Sequence, residues 1–461
     1  MSFSSVFRRL PEAEGRLLAL STTFLFIYSL GLTLSPVLRT HDPSRPPLWG
    51  HWLGFLAWAL VFAAISQGLA RRLPSHNPYL LPLAAFLCGW GLLTIWRLNP
   101  FQGARQTIWL LVSGLLFLVG LAIPHLLTIL QRYGLIWMIS AVVLISLTFV
   151  FGTHPSGQGP HLWLSLGLFY IQPAEPLKLA LVVYLSASLA SLQTEERSHM
   201  RPLIPALAVC GAAFVLLLVQ RDLDSALLFA MIFFVTLYLD TGRGRAILLG
   251  FLFLLATFLG VYLFSATLRG RIAGWLNPWS NASGSGYQVL RAFLSLANGG
   301  LLGKGPGIGD PETIPVAASD FILAAVGEEE GFIGIMVLLA CLALTGFVAI
   351  QVSLHSASRY QRFLANGVAT YLVGQGTLVA AANLGVLPVT GLTFPLVSYG
   401  GSSLATSFGA LLLLFLAEGS PEAGSPDLPP AGTAPYRHLA ATALVILGLL
   451  TLVAAWRSLV A

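Results

Sequence analysis

The chain has 461 residues, of which 56% are hydrophobic and 9% charged, with 24 Lys plus Arg, 18 Asp plus Glu and a mean hydropathy of +0.82. A soluble domain carries about 25% charged residues, so the composition excludes a soluble enzyme, a disordered chain and a disulfide scaffold and identifies a polytopic membrane protein. The six surplus positive charges are scattered through loops with no dense basic block, which argues against a nucleic-acid partner and leaves membrane topology as the meaning of the basic pI.

About 20 apolar residues cross a bilayer, and the sequence offers thirteen candidate helices of that kind. They lie near 17–38, 49–70, 79–97, 107–130, 134–152, 174–192, 203–220, 223–239, 246–267, 321–350, 364–383, 402–418 and 438–456. Continuous apolarity without alternation predicts helices and not a β-barrel. The first run is long and lacks a small-residue cleavage site, so it reads as a retained span. Lys and Arg gather on the cytoplasmic side of spans. With the N-terminus inside, thirteen of them fall on the inner side against six in short outer loops, and the odd span count places the C-terminus outside. The segment 268–320 is a long outer loop rich in Gly, Ser, Asn and Pro, within which Arg291–Asn298 forms a short amphipathic surface helix. The Pro-rich stretch 419–436 reads as a cytoplasmic linker. Cys88, Cys210 and Cys341 sit singly in apolar runs and read as small buried hydrophobes.

Ionisable groups inside spans are costly and mark function or internal pairing. Glu175 and Lys178, three residues apart in Gln172-Pro-Ala-Glu-Pro-Leu-Lys178, share a helix face. They either neutralise each other or present Lys178 to an anionic headgroup. In Gln220-Arg-Asp-Leu-Asp224, Arg221 suits a phosphate, while Asp222 or Asp224 suits a turn cap. Asp320 stands before an apolar helix as an ordinary N-cap residue would, or as an acid at the outer mouth. Glu328, Glu329 and Glu330 follow inside that span; they cannot all face one way, and a midplane or cytoplasmic depth would make them structural. The stretch Leu387–Ser403 is polar and broken by Gly and Pro between two apolar helices, with Ser398, Tyr399, Gly400, Gly401, Ser402 and Ser403 leading into the second. Successive amides and hydroxyls at a helix start suit an anion such as pyrophosphate. No Walker loop, dinucleotide fingerprint or metal-spaced His pair is present, so any donor substrate is membrane-borne.

These motifs resemble the SEDS family of cell-wall proteins, typified by RodA and FtsW. The most specific match is Gly385-Val-Leu-Pro-Val-Thr-Gly-Leu-Thr-Phe-Pro-Leu-Val-Ser-Tyr-Gly-Gly-Ser-Ser403; Asn277-Pro278, Gly284–Gln288, Gly299–Gly303, Ser319-Asp-Phe-Ile, Gly327-Glu-Glu and Gln172-Pro-Ala-Glu with Lys178 are similar to further family motifs. The resemblance covers roughly residues 160–418 and implies an all-α fold with a ten-helix core. It divides the chain into two extra N-terminal spans with their tail (1–78), the core (79–418), the linker and an extra C-terminal span (437–461). The Gln-Arg-Asp and Asp240-Thr-Gly-Arg243 wording leans toward the RodA branch. Departures are Ala174 for the usual Ser, Pro176 at a helix start, Leu162 where an Arg usually precedes Trp163, and an Asp in Arg221-Asp-Leu-Asp224 in place of a customary Gly.

The family implies a peptidoglycan glycosyltransferase of the bacterial cytoplasmic membrane, joining lipid II molecules through β-1,4 bonds and releasing undecaprenyl pyrophosphate. It implies Asp320 as catalytic base or metal ligand, with Mg or Mn as the candidate cation, and Glu175, Lys178, Arg221, Arg291, Lys304 and Ser398–Ser403 as substrate-binding residues. A class B penicillin-binding protein is the implied partner. The alternative from a different class is a transporter or flippase of the lipid-linked precursor, which would place its acids at a midplane crossing with repeat symmetry.

Overall fold

The computed structural model describes residues 12–154, 161–167, 169–191, 204–242 and 244–419. The described chain is helical apart from a three-stranded antiparallel sheet. In order it runs α1 (Glu12–Thr40), α2 (His51–Arg72), α3 (Leu80–Leu98), α4 (Pro100–Ala122), α5 (Leu126–Arg132) and α6 (Gly134–Phe151). The sheet follows as β1 (Gly152–Thr153), β2 (Trp163–Leu166) and β3 (Phe169–Ile171). Then come α7 (Ala174–Ser191), α8 (Ile204–Val219), α9 (Leu223–Thr241), α10 (Gly244–Phe264), α11 (Ala266–Leu276), α12 (Tyr287–Gly299), α13 (Ile322–His355), α14 (Arg359–Asn383) and α15 (Gly401–Gly419).

Twelve of the expected spans coincide with described helices, and nine of these meet a length and apolarity standard for crossing a membrane. Two others, in α8 and α9, are shorter apolar segments, while α14 is long but carries Gln361, Asn366, Gln375 and Asn383 on its buried side. The expected linker beyond Gly419 and the span 438–456 lie outside the described residues. The fourth span begins earlier than its apolar pattern: Asn99 accepts the amides of Phe101 and Gln102, and Pro100 occupies the first helical position. The long loop holds two helices, where only α12 had been expected.

Burial locates the centre. Of its apolar window, α3 buries 78% and α10 only 6%, so α3 lies inside the bundle and α10 at its edge. Outward faces carry large apolar side chains such as Phe251, Leu252, Leu263 and Phe264, the arrangement lipid demands and water would penalise. The helices α1 and α2 are not appendages. Trp58 donates to the Ala85 carbonyl at 2.8 Å, and Gly114 brings α4 close to Val61.

The helix α13 is broken at Gly331, whose φ of 72° and ψ of −168° are not helical. The loop after α12 repairs the break: Lys304 and Gly305 donate to the carbonyls of Glu328 and Glu329, and Phe332 and Ile333 donate to Gly300 and Leu301. Irregular backbone survives at membrane depth when protein satisfies it in this way. A Cβ on Gly299, Gly303 or Gly331 would meet opposing backbone, so the close approach requires glycine at all three. The Glu328–Glu330 triad therefore lies against the part of the long loop that reaches into the bundle, and Glu330 meets Tyr28 midway along α1. Each acid has its own partner. Glu328 accepts from Lys304 Nζ at 3.3 Å, Glu329 from Arg97 Nε at 3.0 Å and Glu330 from the Tyr28 hydroxyl at 2.7 Å. Arg39 at the end of α1 adds ion pairs to Asp310 and Glu312 of the loop.

Candidate functional site

Three loops meet above the bundle at the end opposite the buried Glu14–His76 pair. The turn Val316–Asp320 delivers the chain into α13, and three successive carbonyls of it are held by donors from elsewhere. Tyr399 N donates to Ala318 O at 2.7 Å, Ser398 Oγ to Ser319 O at 2.6 Å and Asn383 Nδ2 to Asp320 O at 2.7 Å. The signature stretch and the end of α14 thus fix the backbone that carries Asp320.

The side chain of Asp320 is not a helix cap. Phe321 occupies the cap position of α13 with no side-chain cap, so the ordinary N-cap expectation for Asp320 is corrected. Its carboxyl is half-buried and is pushed up to about 6 from the usual 3.8, first by desolvation; Asp224 adds to the rise, while Ser319 and Arg271 oppose it. Asp224 and Arg271 are themselves joined at 2.8 Å, and Asp224 also accepts the Gly391 amide at 3.0 Å. Asp222 caps α9 by accepting Ser225 N at 3.1 Å, and burial followed by the nearby Asp224 raises its carboxyl. Of the two acids in this motif, one is the expected turn cap and the other ties the long loop to the signature stretch.

The remaining candidates are distributed. Lys178 is fully buried, bonded to Glu175 Oε1 at 2.7 Å and Gln375 Oε1 at 2.8 Å, and stands 5.5 Å from the Tyr371 ring centroid. The pair expected from their three-residue spacing is therefore present, and it points into protein. Gln375 passes the connection on to Thr393, which bonds Ser403 Oγ at 2.7 Å. Arg221 is exposed at a positive φ of 62°, Arg291 packs over the Tyr287 ring, and Lys304 belongs to the Glu328 cluster. In the signature stretch the Ser398 hydroxyl, the amides of Tyr399 and Gly400 and the hydroxyls of Ser402 and Ser403 are all engaged within the protein. This part of the expected anion cradle serves first as a brace, because backbone lacking helix bonds must be satisfied locally. A Cβ on Gly401 would run into Trp109 of α4.

Sequence reasoning did not single out Asn383, Gln375 or Gln106. Their only signal is an amide side chain within an apolar span, and each proves to bond backbone of the signature stretch or the Asp320 turn. Arg271 had been placed in the long loop, with no role assigned. Among the described residues no three His, Cys, Asp or Glu side chains are grouped to hold a metal. Beside Asp320 the nearest acid, Asp224, is taken by Arg271 and the Gly391 amide, which leaves fewer free oxygens than Mg or Mn want.

Comparison with known proteins places the chain. Residues 91–420 match the family model of FtsW, RodA and SpoVE, described as cell cycle protein. The peptidoglycan glycosyltransferase RodA of Mycobacterium tuberculosis is 32% identical over 381 residues, 78% of this chain and 81% of that one. A probable peptidoglycan glycosyltransferase FtsW of Geobacter sulfurreducens is 32% identical over 286 residues, covering 62% and 77%. Among solved structures, a chain of a peptidoglycan synthase complex that coordinates polymerization and crosslinking superposes with a TM-score of 0.64 at 26% identity, over 75% of this chain and 98% of its own. The Thermus thermophilus rod shape determining protein RodA gives 0.56 at 25% identity, over 75% and 97%. With a family match that spans most of its length and takes in the Asp320 turn, both of its neighbouring loops and the broken α13, this chain belongs to the FtsW/RodA/SpoVE family, the SEDS proteins.

Proposed function

We propose that the protein is a peptidoglycan glycosyltransferase that polymerises lipid II with inversion, using Asp320 as its base. The observation that carries this is a half-buried carboxylate, without an ion pair among the described residues, on a backbone held by three outside donors. The donor sugar is α-linked to pyrophosphate and the product is β-linked, so one in-line displacement suffices. The acceptor hydroxyl oxygen attacks the anomeric carbon, its bond to the pyrophosphate oxygen breaks, and the hydroxyl proton passes to Asp320. A base near neutral pH is poised for that transfer. Pyrophosphate departs without an acid provided its charge is neutralised. Arg221, which is exposed, and Arg291, half-buried over the Tyr287 ring, are the candidates for that role. Lys178 and Lys304 act through the networks they hold, and no step is routed through a cation.

The thirteen-to-six charge excess supports an extracytoplasmic Asp320 end, a cytoplasmic N-terminus and residence in the bacterial cytoplasmic membrane. A class B penicillin-binding protein is the proposed partner. The test is polymerisation of purified lipid II by the detergent-solubilised protein with that partner. Wild type should yield glycan strands, and folded Asp320→Ala and Asp320→Asn should yield none. Transfer of lipid II across vesicles without polymer would replace this reading with the flippase.

A further inference from the structure

The start of α13 lacks the device that normally opens a helix. No side chain of its own segment caps the first turn, and Ala325 is the first residue whose amide reaches a main-chain acceptor, Phe321 O at 3.1 Å. The amide of Ala324 is taken from outside: Asn383, the last residue of α14 and 1% exposed, accepts it on Oδ1 at 3.3 Å. The same side chain donates from Nδ2 to Asp320 O at 2.7 Å and to Val379 O at 3.0 Å. A capping side chain accepts from the second or third helical amide, and Ala324 is the third. Asn383 therefore does from a neighbouring helix what a Ser, Asp or Asn at position 321 would do from within.

Chemistry makes the substitution pointed. Aspartate is among the strongest capping residues, and Asp320 lies one residue before the cap of a helix whose first amides have no partner of their own. A carboxylate bonded to those amides would be turned back onto the helix and no longer offered to a substrate hydroxyl. The amide of Asn383 uses one acceptor and both of its donor hydrogens here, a set that neither Asp nor Leu of the same size supplies.

We propose that Asn383 is a positioning residue for the transfer reaction: by capping α13 from α14 and fixing the Asp320 carbonyl, it keeps the Asp320 carboxyl out of the capping position and directed to the acceptor hydroxyl. This rests on the reading of Asp320 as base.

The experiment compares Asn383→Leu, which removes all three bonds, and Asn383→Asp, which keeps the acceptor and loses the donors, in the full-length protein with its synthase partner. Lipid II polymerisation is followed from pH 4.5 to 8. Asn383→Leu should lower kcat about 10- to 100-fold, within the range of an impaired general base, with KM changed less than twofold. It should also move the acid limb of kcat below its wild-type position, because a carboxyl taken up by helix amides ionises more readily. Asp224 and Arg271, the other charges acting on Asp320, are untouched in both variants. Asn383→Asp should lose less, about tenfold, and it decides the question alone if the Leu variant does not fold. A folded variant with wild-type kcat and an unmoved acid limb overturns the positioning role. If Asp320→Asn is then inactive, only that role falls; if Asp320→Asn polymerises at the wild-type rate, the base assignment falls as well.

Discussion

Replacing Asp320 by Asn should stabilise the protein while removing its activity. The carboxyl is raised from 3.8 to about 6, first by desolvation and then by Asp224, against the opposing Ser319 and Arg271. A folded-state value above the unfolded one means that the native protein binds this proton more tightly than the unfolded chain does. Its contribution to stability is therefore full below about pH 4 and is lost as pH rises through about 6. At about 1.4 kcal/mol per unit the two-unit rise sets an upper bound near 3 kcal/mol at pH 7.5, and solvent access to a half-buried group reduces it to about 1–2 kcal/mol. Asn has nearly the same shape and no charge at any pH, so it removes the penalty. Thermal unfolding in detergent, followed by Trp fluorescence, should give a melting temperature a few degrees above wild type at pH 7.5 and equal to it near pH 4. The same sample should polymerise lipid II at least about 100-fold more slowly. A variant less stable than wild type at pH 7.5, or a difference that widens on acidification, would refute the account of Asp320.

Removing the charges around Asp320 should shift the acid limb of the pH–rate profile in opposite directions. Arg271→Gln should raise it by about one unit, cutting the rate at pH 6 roughly fivefold, and Asp224→Gly should lower it by a similar amount. Lys178→Met should destabilise the protein by about 3–5 kcal/mol because it strands Glu175, whereas Lys178→Met with Glu175→Leu should recover most of that loss in the same unfolding assay. Arg39→Ala with Tyr28→Phe should leave the fold intact yet raise amide exchange at Lys304, Gly305, Phe332 and Ile333 about 10- to 30-fold by mass spectrometry, since the Tyr28 bond contributes about 1 kcal/mol and the two exposed Arg39 pairs together about 0.5–1 kcal/mol to holding the loop on α13.

The spans were legible because the bilayer imposes one length and one composition on every segment, and those survive in the sequence without knowledge of packing. What was not legible depends on convergence. Asp224, Arg271, Asp320, Asn383 and Gly391 come together from five separate segments, and no periodicity announces that meeting. Asp224 had registered only as a candidate cap in a motif that departs from the usual pattern, yet it is the ion-pair partner of Arg271. The Glu328 triad was visible as costly charge, but its partners were not, because Gly331 gives no sign in sequence of the break that lets the loop reach in.

The burial of charge in this bundle separates what holds the fold from what acts. Glu175 is closed on Lys178, Glu328 on Lys304, Glu329 on Arg97, Asp224 on Arg271 and Glu14 on His76, while Glu330 takes the Tyr28 hydroxyl. Each is what a low-dielectric interior demands of an acid. Asp320 enters no ion pair among the described residues, although Arg271 acts on it and stands on the neighbouring Asp224. Arg271 moderates the rise without neutralising the acid, and Asn383 occupies the cap that would have drawn the carboxylate away. A fold that closes so many carboxylates in ion pairs leaves Asp320 raised and without one on a braced backbone, and proton transfer is the use that a carboxyl near pH 6 serves best.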